Sequence, residues 1–285
     1  MLRRCRSILF ALAAVVAIVS GRSSTSALHA ADSLTALLSR AGANMQTLAR
    51  SLAIVICNEK YMQQVRDRRD RLPLAERTLQ SEILFRWVAE EELWLAIRNV
   101  KQVDGVALSN DSMPWEAALA GSSPAKRLRQ LQAAALKYDI GPVLRTIGDS
   151  TLVLRFLLPV NQARFRFRDD GRERIDRETV ERVTFIEERR PTLIQADDAD
   201  SPASGTIWLR PNDGAVVRTR VDFKSVRNLK VRLTVDFRHD PRLGAWVPNR
   251  MEEQYEPRSG QNVDCIATYT DFRRFETAGR IVAPE

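Results

Sequence analysis

The chain has 285 residues, enough for one large domain or two small ones, and its 44% hydrophobic and 28% charged residues are those of a folded protein rather than a disordered one. Its net charge of +8 would suit a nucleic-acid partner, but Arg3, Arg4, Arg6 and Arg22 lie in an acid-free opening of 30 residues, and without them the balance is +4. The other charges interleave, as in Arg172-Glu173-Arg174-Ile175-Asp176-Arg177-Glu178, which is how a solvated surface reads, so no nucleic-acid partner is expected. In chain order, Met1–Ser7 is short and basic, and Ile8–Ser20 is an apolar run of 13 residues, short of the ~20 that cross a bilayer as a helix. Small residues follow, through Ala27-Leu28-His29-Ala30-Ala31. This is the plan of a signal peptide over 1–30, cleaved near Ala30, which leaves one α+β domain over 31–285 and no transmembrane segment in the processed protein.

Leu34, Leu37, Leu38, Ala41, Met45, Leu48 and Leu52 recur at helical spacing, so Asp32 to Leu52 is expected to be a helix, weakened by Gly42. Ala53–Val65, Thr78–Val88 and Trp94–Val103 read as three strands. Ser81, Ile83, Phe85 and Trp87 share one face of the second. Gly105–Gly121 reads as a loop or broken helix. Ser122-Ser123-Pro124 opens a helix running to about Tyr138. Leu152–Leu158 is a short helix, apolar nearly all round, which Pro159 should end. Arg164–Arg168 alternates as a strand, Asp169-Asp170-Gly171 should turn, and Val180–Arg190 should return. Pro191–Ser204, rich in Asp, Ala, Ser and Pro, is expected to be a mobile loop.

The last third, from about Ser204 to Phe275, reads as an antiparallel meander. Gly205–Arg210 and Ala215–Phe223 flank Asp213-Gly214, a hairpin signal, because glycine accepts the positive φ of the turn. Val217, Thr219, Val221 and Phe223 should share one face. Lys230–Phe237 repeats the alternation. Trp246–Tyr255 returns with Pro248 at an edge or bulge. Asn262–Phe275 closes the set, with Val263, Cys265, Ala267 and Tyr269 together. One apolar and one polar face suit an antiparallel sheet covered on one side.

Beyond Cys5, the cysteines are Cys57 and Cys265, 208 positions apart. In an exported chain they make one disulfide, or else two buried thiols. With His29 in the leader and His239 in an expected surface turn, a multi-histidine zinc site or a His-based triad has too few members. The adjacent acids Glu90-Glu91-Glu92, Asp169-Asp170, Glu187-Glu188 and Glu252-Glu253 alternate across strands and should be surface charge. No phosphate loop or metal-ligand spacing is present, so neither an enzyme nor a cofactor is expected.

Thr206-Ile207-Trp208-Leu209-Arg210-Pro211-Asn212-Asp213-Gly214 resembles the Trp-containing hairpin of the LolA-like superfamily of periplasmic lipoprotein carriers. The alternation Cys57, Glu59, Tyr61, and the closing strand Cys265–Phe275, are similar to those of uncharacterised exported bacterial proteins. The resemblance covers roughly residues 50–275 as a plan. It implies a strongly curved antiparallel sheet, a half-barrel, with helices packed in its concave face and an apolar cavity between them. Phe85, Trp87, Trp94, Leu152, Phe156, Leu157 and Trp208 are then the candidate cavity residues. Two functions follow: a periplasmic carrier of a lipid or lipoprotein acyl chain, or a filled envelope module that binds a protein partner.

Overall fold

The computed structural model describes residues 23–51, 54–69, 72–89, 91–108, 115–119, 124–196, 199–226 and 229–275. Most of the expected leader, residues 1–22, lies outside them. Helix α1 (Ser23–Ser51) begins ahead of the expected Asp32, inside that leader. None of the described helices is long and apolar enough to cross a membrane.

Eleven strands form one open sheet. In chain order they are β1 (Ile54–Arg66), β2 (Pro73–Val88), β3 (Leu93–Val103), β4 (Val106–Ala107), β5 (Phe165–Ile175), β6 (Glu178–Glu187), β9 (Ala203–Leu209), β10 (Val216–Val226), β11 (Leu229–Asp240), β12 (Ala245–Pro257) and β13 (Asn262–Arg274); β7 (Gln195–Ala196) and β8 (Ala199–Asp200) make a separate small hairpin. The order across the sheet is β4-β3-β2-β1-β13-β12-β11-β10-β9-β6-β5, antiparallel throughout. Laid flat, eleven strands would span about 50 Å. Yet one cluster joins inward residues from β1 to β13 with Leu37, Ala41 and Met45 of α1 and Val153–Leu158, so the sheet curls around those helices.

The segment Leu152–Leu157 is a 3-10 helix, buried at Val153, Leu154, Phe156 and Leu157. Pro159 follows its end, as expected, with Leu158 extended between them. It starts α4 (Pro159–Gln162), as the first helical residue, where its missing N–H costs nothing. Gly42, expected to weaken α1, lets that helix approach α4: a Cβ there would sit 3.0 Å from Pro159 Cγ. Gly214 combines the positive φ of the hairpin turn with contact to the α1 backbone, where a Cβ would lie 2.4 Å from the Ala41 nitrogen. Thus the turn that the sequence announces is also the seat of α1.

Several expectations are corrected. The sheet is not covered on one side alone. Helices α2 (Trp115–Leu119) and α3 (Pro124–Ala135) place Trp115, Ala118 and Leu128 against Ile56, Leu84, Leu95 and Ile97 on the outer face of β1–β3. The β5–β6 turn falls after Ile175, not at Asp169–Gly171, where a register shift absorbs the glycine inside β5. A second shift, between Val216 and Arg218, turns Val217 outward while Thr219, Val221 and Phe223 stay inward. His239 lies in β11, edge-on to Trp246. The described part of Pro191–Ser204 carries a small strand pair, Gln195–Ala196 with Ala199–Asp200, and Thr192 N donates to Asp200 Oδ1 at 2.7 Å.

The disulfide is also corrected: Cys57 and Cys265 are both free and buried. β1 and β13 are neighbours, but Cys265 stands opposite Gln63, six residues along β1 from Cys57. At ~3.3 Å per residue that is about 20 Å, beyond the ~7 Å reach of a disulfide. Burial pushes both thiols up, Cys265 to about 12. Iodoacetamide should therefore modify neither cysteine in the folded protein and both after denaturation, read by peptide mass. Phe156 is fully buried, 4.7 Å from the Phe165 ring and 5.6 Å from Phe185. Phe156→Ala should cost about 3–5 kcal/mol in a urea titration.

Candidate functional site

Alternation on β1 brings Glu59, Tyr61 and Gln63 to the inner face beside Cys57 and Val65. Alternation on β12 does the same for Met251, Glu253 and Tyr255. β13 lies between these strands and adds Cys265 and Tyr269, while β3 adds Arg98 from the other side. The result is a polar floor within an otherwise apolar core.

Its members bond one another, although Glu253 Oε1 is left without a partner. Arg98 donates to both Glu59 oxygens, at 2.6 and 2.8 Å, and its guanidinium lies 4.0 Å from the centre of the Tyr61 ring. The Tyr61 hydroxyl donates to Glu253 Oε2 at 3.3 Å, and the Tyr255 hydroxyl donates to the same oxygen at 2.5 Å. A buried pair such as Arg98–Glu59 contributes little net stability, but removing one partner strands a charge and costs about 3–5 kcal/mol. The floor is therefore rigid by mutual constraint.

Above it runs the segment Asp139–Ser150, clamped by Arg145. The Arg145 guanidinium pairs with Asp139 at 2.8 Å and donates to the carbonyls of Ile140 at 3.0 Å and Val143 at 3.2 Å. It also bonds Gln63 Oε1 on the floor. Gln63 in turn donates to the Tyr138 carbonyl at 3.2 Å and accepts from Ile140 N at 3.1 Å. Farther along, Gly148 rests against Glu253, where a Cβ would meet Oε2 at 2.8 Å.

This segment is a shared wall between two cavities. One, of about 720 Å3, is bounded by Pro142, Val143, Leu144, Ile147, Ile194 and Leu229, with Val231 and Tyr255 from the sheet. The other, of about 270 Å3, is bounded by Glu59, Arg98, Arg129, Asp139, Arg145 and Tyr269, with Phe85 and Ile83 on its apolar side. Thr146 borders both.

The sequence-predicted cavity residues are spread more widely. Phe85 borders the 270 Å3 cavity and, with Trp94 and Leu154, a space of about 30 Å3. Trp87 packs on Trp94, ring centres 4.5 Å apart. Leu152 is half-buried against the main core, and Phe156 and Leu157 are wholly inside it. Trp208 faces outward, packs with Ile175, Val180 and Val217, and donates to Glu173 at 2.7 Å.

Glu59, Arg98, Arg145 and Glu253 were missed as site residues. The signal for the two acids was present, because each sits at an inward register position between apolar neighbours. Read as surface charge, Glu253 is 1% exposed and Glu187 3%. No comparable signal marks Arg145, in an irregular segment.

Burial keeps the floor's thiol and hydroxyls toward their protonated forms. Burial raises the Cys265 thiol and, with the field of Glu253 behind it, the Tyr61 and Tyr255 hydroxyls. Among the described residues, no three His, Cys, Asp or Glu side chains come together as a metal site.

No protein-family model and no curated protein matches the chain. Among solved structures, a DUF1329 family protein from Desulfovibrio piger matches at 11% identity and a TM-score of 0.43, covering 88% of this chain and 94% of its own. A putative outer membrane lipoprotein-sorting protein domain from Vibrio parahaemolyticus matches at 10% identity and 0.41, over 84% and 95%. A LolA superfamily protein from Nitrosomonas europaea matches at 13% and 0.34, over 85% and 94%. At these identities and scores they assign no activity to this chain. The architecture itself is an open curved antiparallel sheet holding helices in its concave face, the arrangement expected from the sequence.

Glu253 gives the site a pH dependence. Burial raises its carboxyl above the ordinary glutamate value, against the Tyr255 bond and the fields of Arg98 and Arg145. A raised acid stabilises the fold most below its unfolded pKa, and that contribution is lost as pH rises through the folded pKa. Glu253→Gln should therefore gain on the parent protein as pH rises from about 4 to about 8, by a few degrees in melting temperature. A difference that does not change with pH would show that the carboxyl does not titrate with unfolding.

Proposed function

We propose that the protein is an exported, non-enzymatic carrier or sensor that holds an apolar chain, a lipid or a lipoprotein acyl group, in the 720 Å3 cavity. The observation that supports this reading is the cavity's size and lining, since small-molecule sites are typically 300–1,000 Å3 and mainly apolar. Leu144, two-thirds exposed at its border, offers an apolar lip of the kind that an entering chain would cross. The periplasm is the compartment that fits the signal-like amino terminus. There a processed domain of residues 31–285 would exchange its cargo with a lipid surface or an envelope protein.

A filled module that binds a protein partner is the second reading. It draws on the centre of the concave face, where Phe156 and Leu157 are fully buried and Phe85, Trp94 and Leu154 leave only about 30 Å3. The two observations divide by position. The middle of the half-barrel is solid, and the space lies at the margin, behind the Asp139–Ser150 wall.

Native mass spectrometry of periplasmic protein prepared without detergent tests the carrier reading. A lipid-sized adduct that leaves on denaturation, together with uptake of a neutral fluorescent naphthylamine probe, is the expected result. Ile194→Trp, which puts an indole into the cavity, should weaken probe binding at least about tenfold. An apo mass with no probe uptake by the parent protein would overturn the carrier reading and favour the filled module.

A further inference from the structure

The smaller cavity has a different chemistry from the larger one. Three guanidiniums, Arg98, Arg129 and Arg145, and two carboxylates, Glu59 and Asp139, border it. Both carboxylates are already engaged, Glu59 by Arg98 and Asp139 by Arg145. In the lining guanidiniums outnumber carboxylates three to two, the carboxylate that pairs with Arg129, Glu91, lying outside it. The Arg145 side chain is 2% exposed, yet its Nε has no acceptor. A buried donor without a partner costs about 1–3 kcal/mol, more when charged.

A single water could satisfy that N–H, but a space of about 270 Å3 has room for about nine waters at ~30 Å3 each. Apolar residues Ile83, Phe85 and Ala96 make up its inner side, so a ligand part seated here meets both carbon and guanidinium surface. The two cavities also share the Asp139–Ser150 wall, with Thr146 bordering both. An amphiphile therefore has adjacent places for its two ends, one apolar and one cationic.

We propose that the smaller cavity takes the oxyanion head, carboxylate or phosphate, of an amphiphile whose chain lies in the 720 Å3 cavity. The inference rests on the carrier reading and specifies its ligand class. Arg145 supplies the buried charge and the unpaired N–H. Arg129, half-exposed and paired with Glu91, supplies a second guanidinium at the rim. Arg98 is held by Glu59 and contributes field rather than a free donor.

Displacement of the neutral naphthylamine probe tests this at low ionic strength, with two pairs of ligands matched in chain: oleate against oleyl alcohol, and oleoyl lysophosphatidate against monoolein. The anionic member of at least one pair should bind about tenfold or more tightly than its neutral counterpart. A preference confined to one pair identifies the head as carboxylate or as phosphate. Because Arg145 also clamps the wall, the rim carries the mutational test: Arg129→Glu should lower the anionic-to-neutral ratio at least about threefold and flatten its salt dependence. Ile194→Trp, acting on the chain, should weaken both members together. Equal affinity within both pairs would overturn the oxyanion head and leave the carrier reading standing. Displacement by none of the four ligands would overturn both.

Discussion

The pairing of β1 with β13 is the constraint on which the rest of this structure depends. Apart from it and the β6–β9 pair, neighbouring strands in the sheet are neighbours in sequence, joined by hairpins or short connections. β1 and β13 meet from opposite ends of the chain, in register from Val55 opposite Arg274 to Arg66 opposite Asn262. Without that ladder the protein would be two separate meanders, each with an exposed apolar face. With it the sheet is continuous, its curl has one concave side, and α1 and the Leu152–Leu157 helix share a single core. Closing so long a loop is entropically costly, but that cost grows only slowly with length, and a ladder of this extent with a buried face offsets it.

The same junction creates the polar floor. β1 contributes Glu59, Tyr61 and Gln63, and β12, across β13, contributes Glu253 and Tyr255. Apart from the Tyr255–Glu253 bond along β12, their partners lie outside their own hairpins. Glu59 finds Arg98 two strands away, and Tyr61 reaches Glu253 over the intervening β13. Groups of this kind are expensive to bury singly and less so as a network in which they pair with one another. The set then fixes what lies on it, because Gln63 and Arg145 tie the floor to a segment with no regular structure of its own. That segment divides the remaining space into an apolar and a cationic compartment.

The division of solid and hollow follows from where the helices fit. Leu152–Leu157 presents apolar atoms on nearly every side, so it can occupy the deepest part of the curl, and Phe156 fills it against Phe165 and Phe185. The Asp139–Ser150 segment cannot pack so densely. Its backbone has to find hydrogen-bond partners, and Arg145 clamps it to Gln63 on the sheet, with Gly141 and Gly148 at the points of close approach. Space is left on both sides of the wall. The aromatic residues that suggest a lined cavity, Trp94 and Phe156 among them, are those that close the centre instead.

Period-two alternation was legible from the sequence and largely decided the strands. Tyr61, Phe85, Val221 and Tyr269 face the core as their spacing requires, and Asp213-Gly214 turns where its φ preference says it must. Bulges defeat that reading locally, because one extra residue reverses the faces beyond it, as at Val217 and within β5. By itself, then, the sequence determined an antiparallel sheet with an apolar face and helices to cover it, since side-chain periodicity is a local property. Only the tertiary structure decided which strands became neighbours, that Cys57 and Cys265 lie six residues apart in register, and that Glu59, Glu253 and Arg145 share one buried network. Those outcomes depend on pairings between distant segments, and a residue's own neighbours in sequence do not record which distant partner will satisfy it.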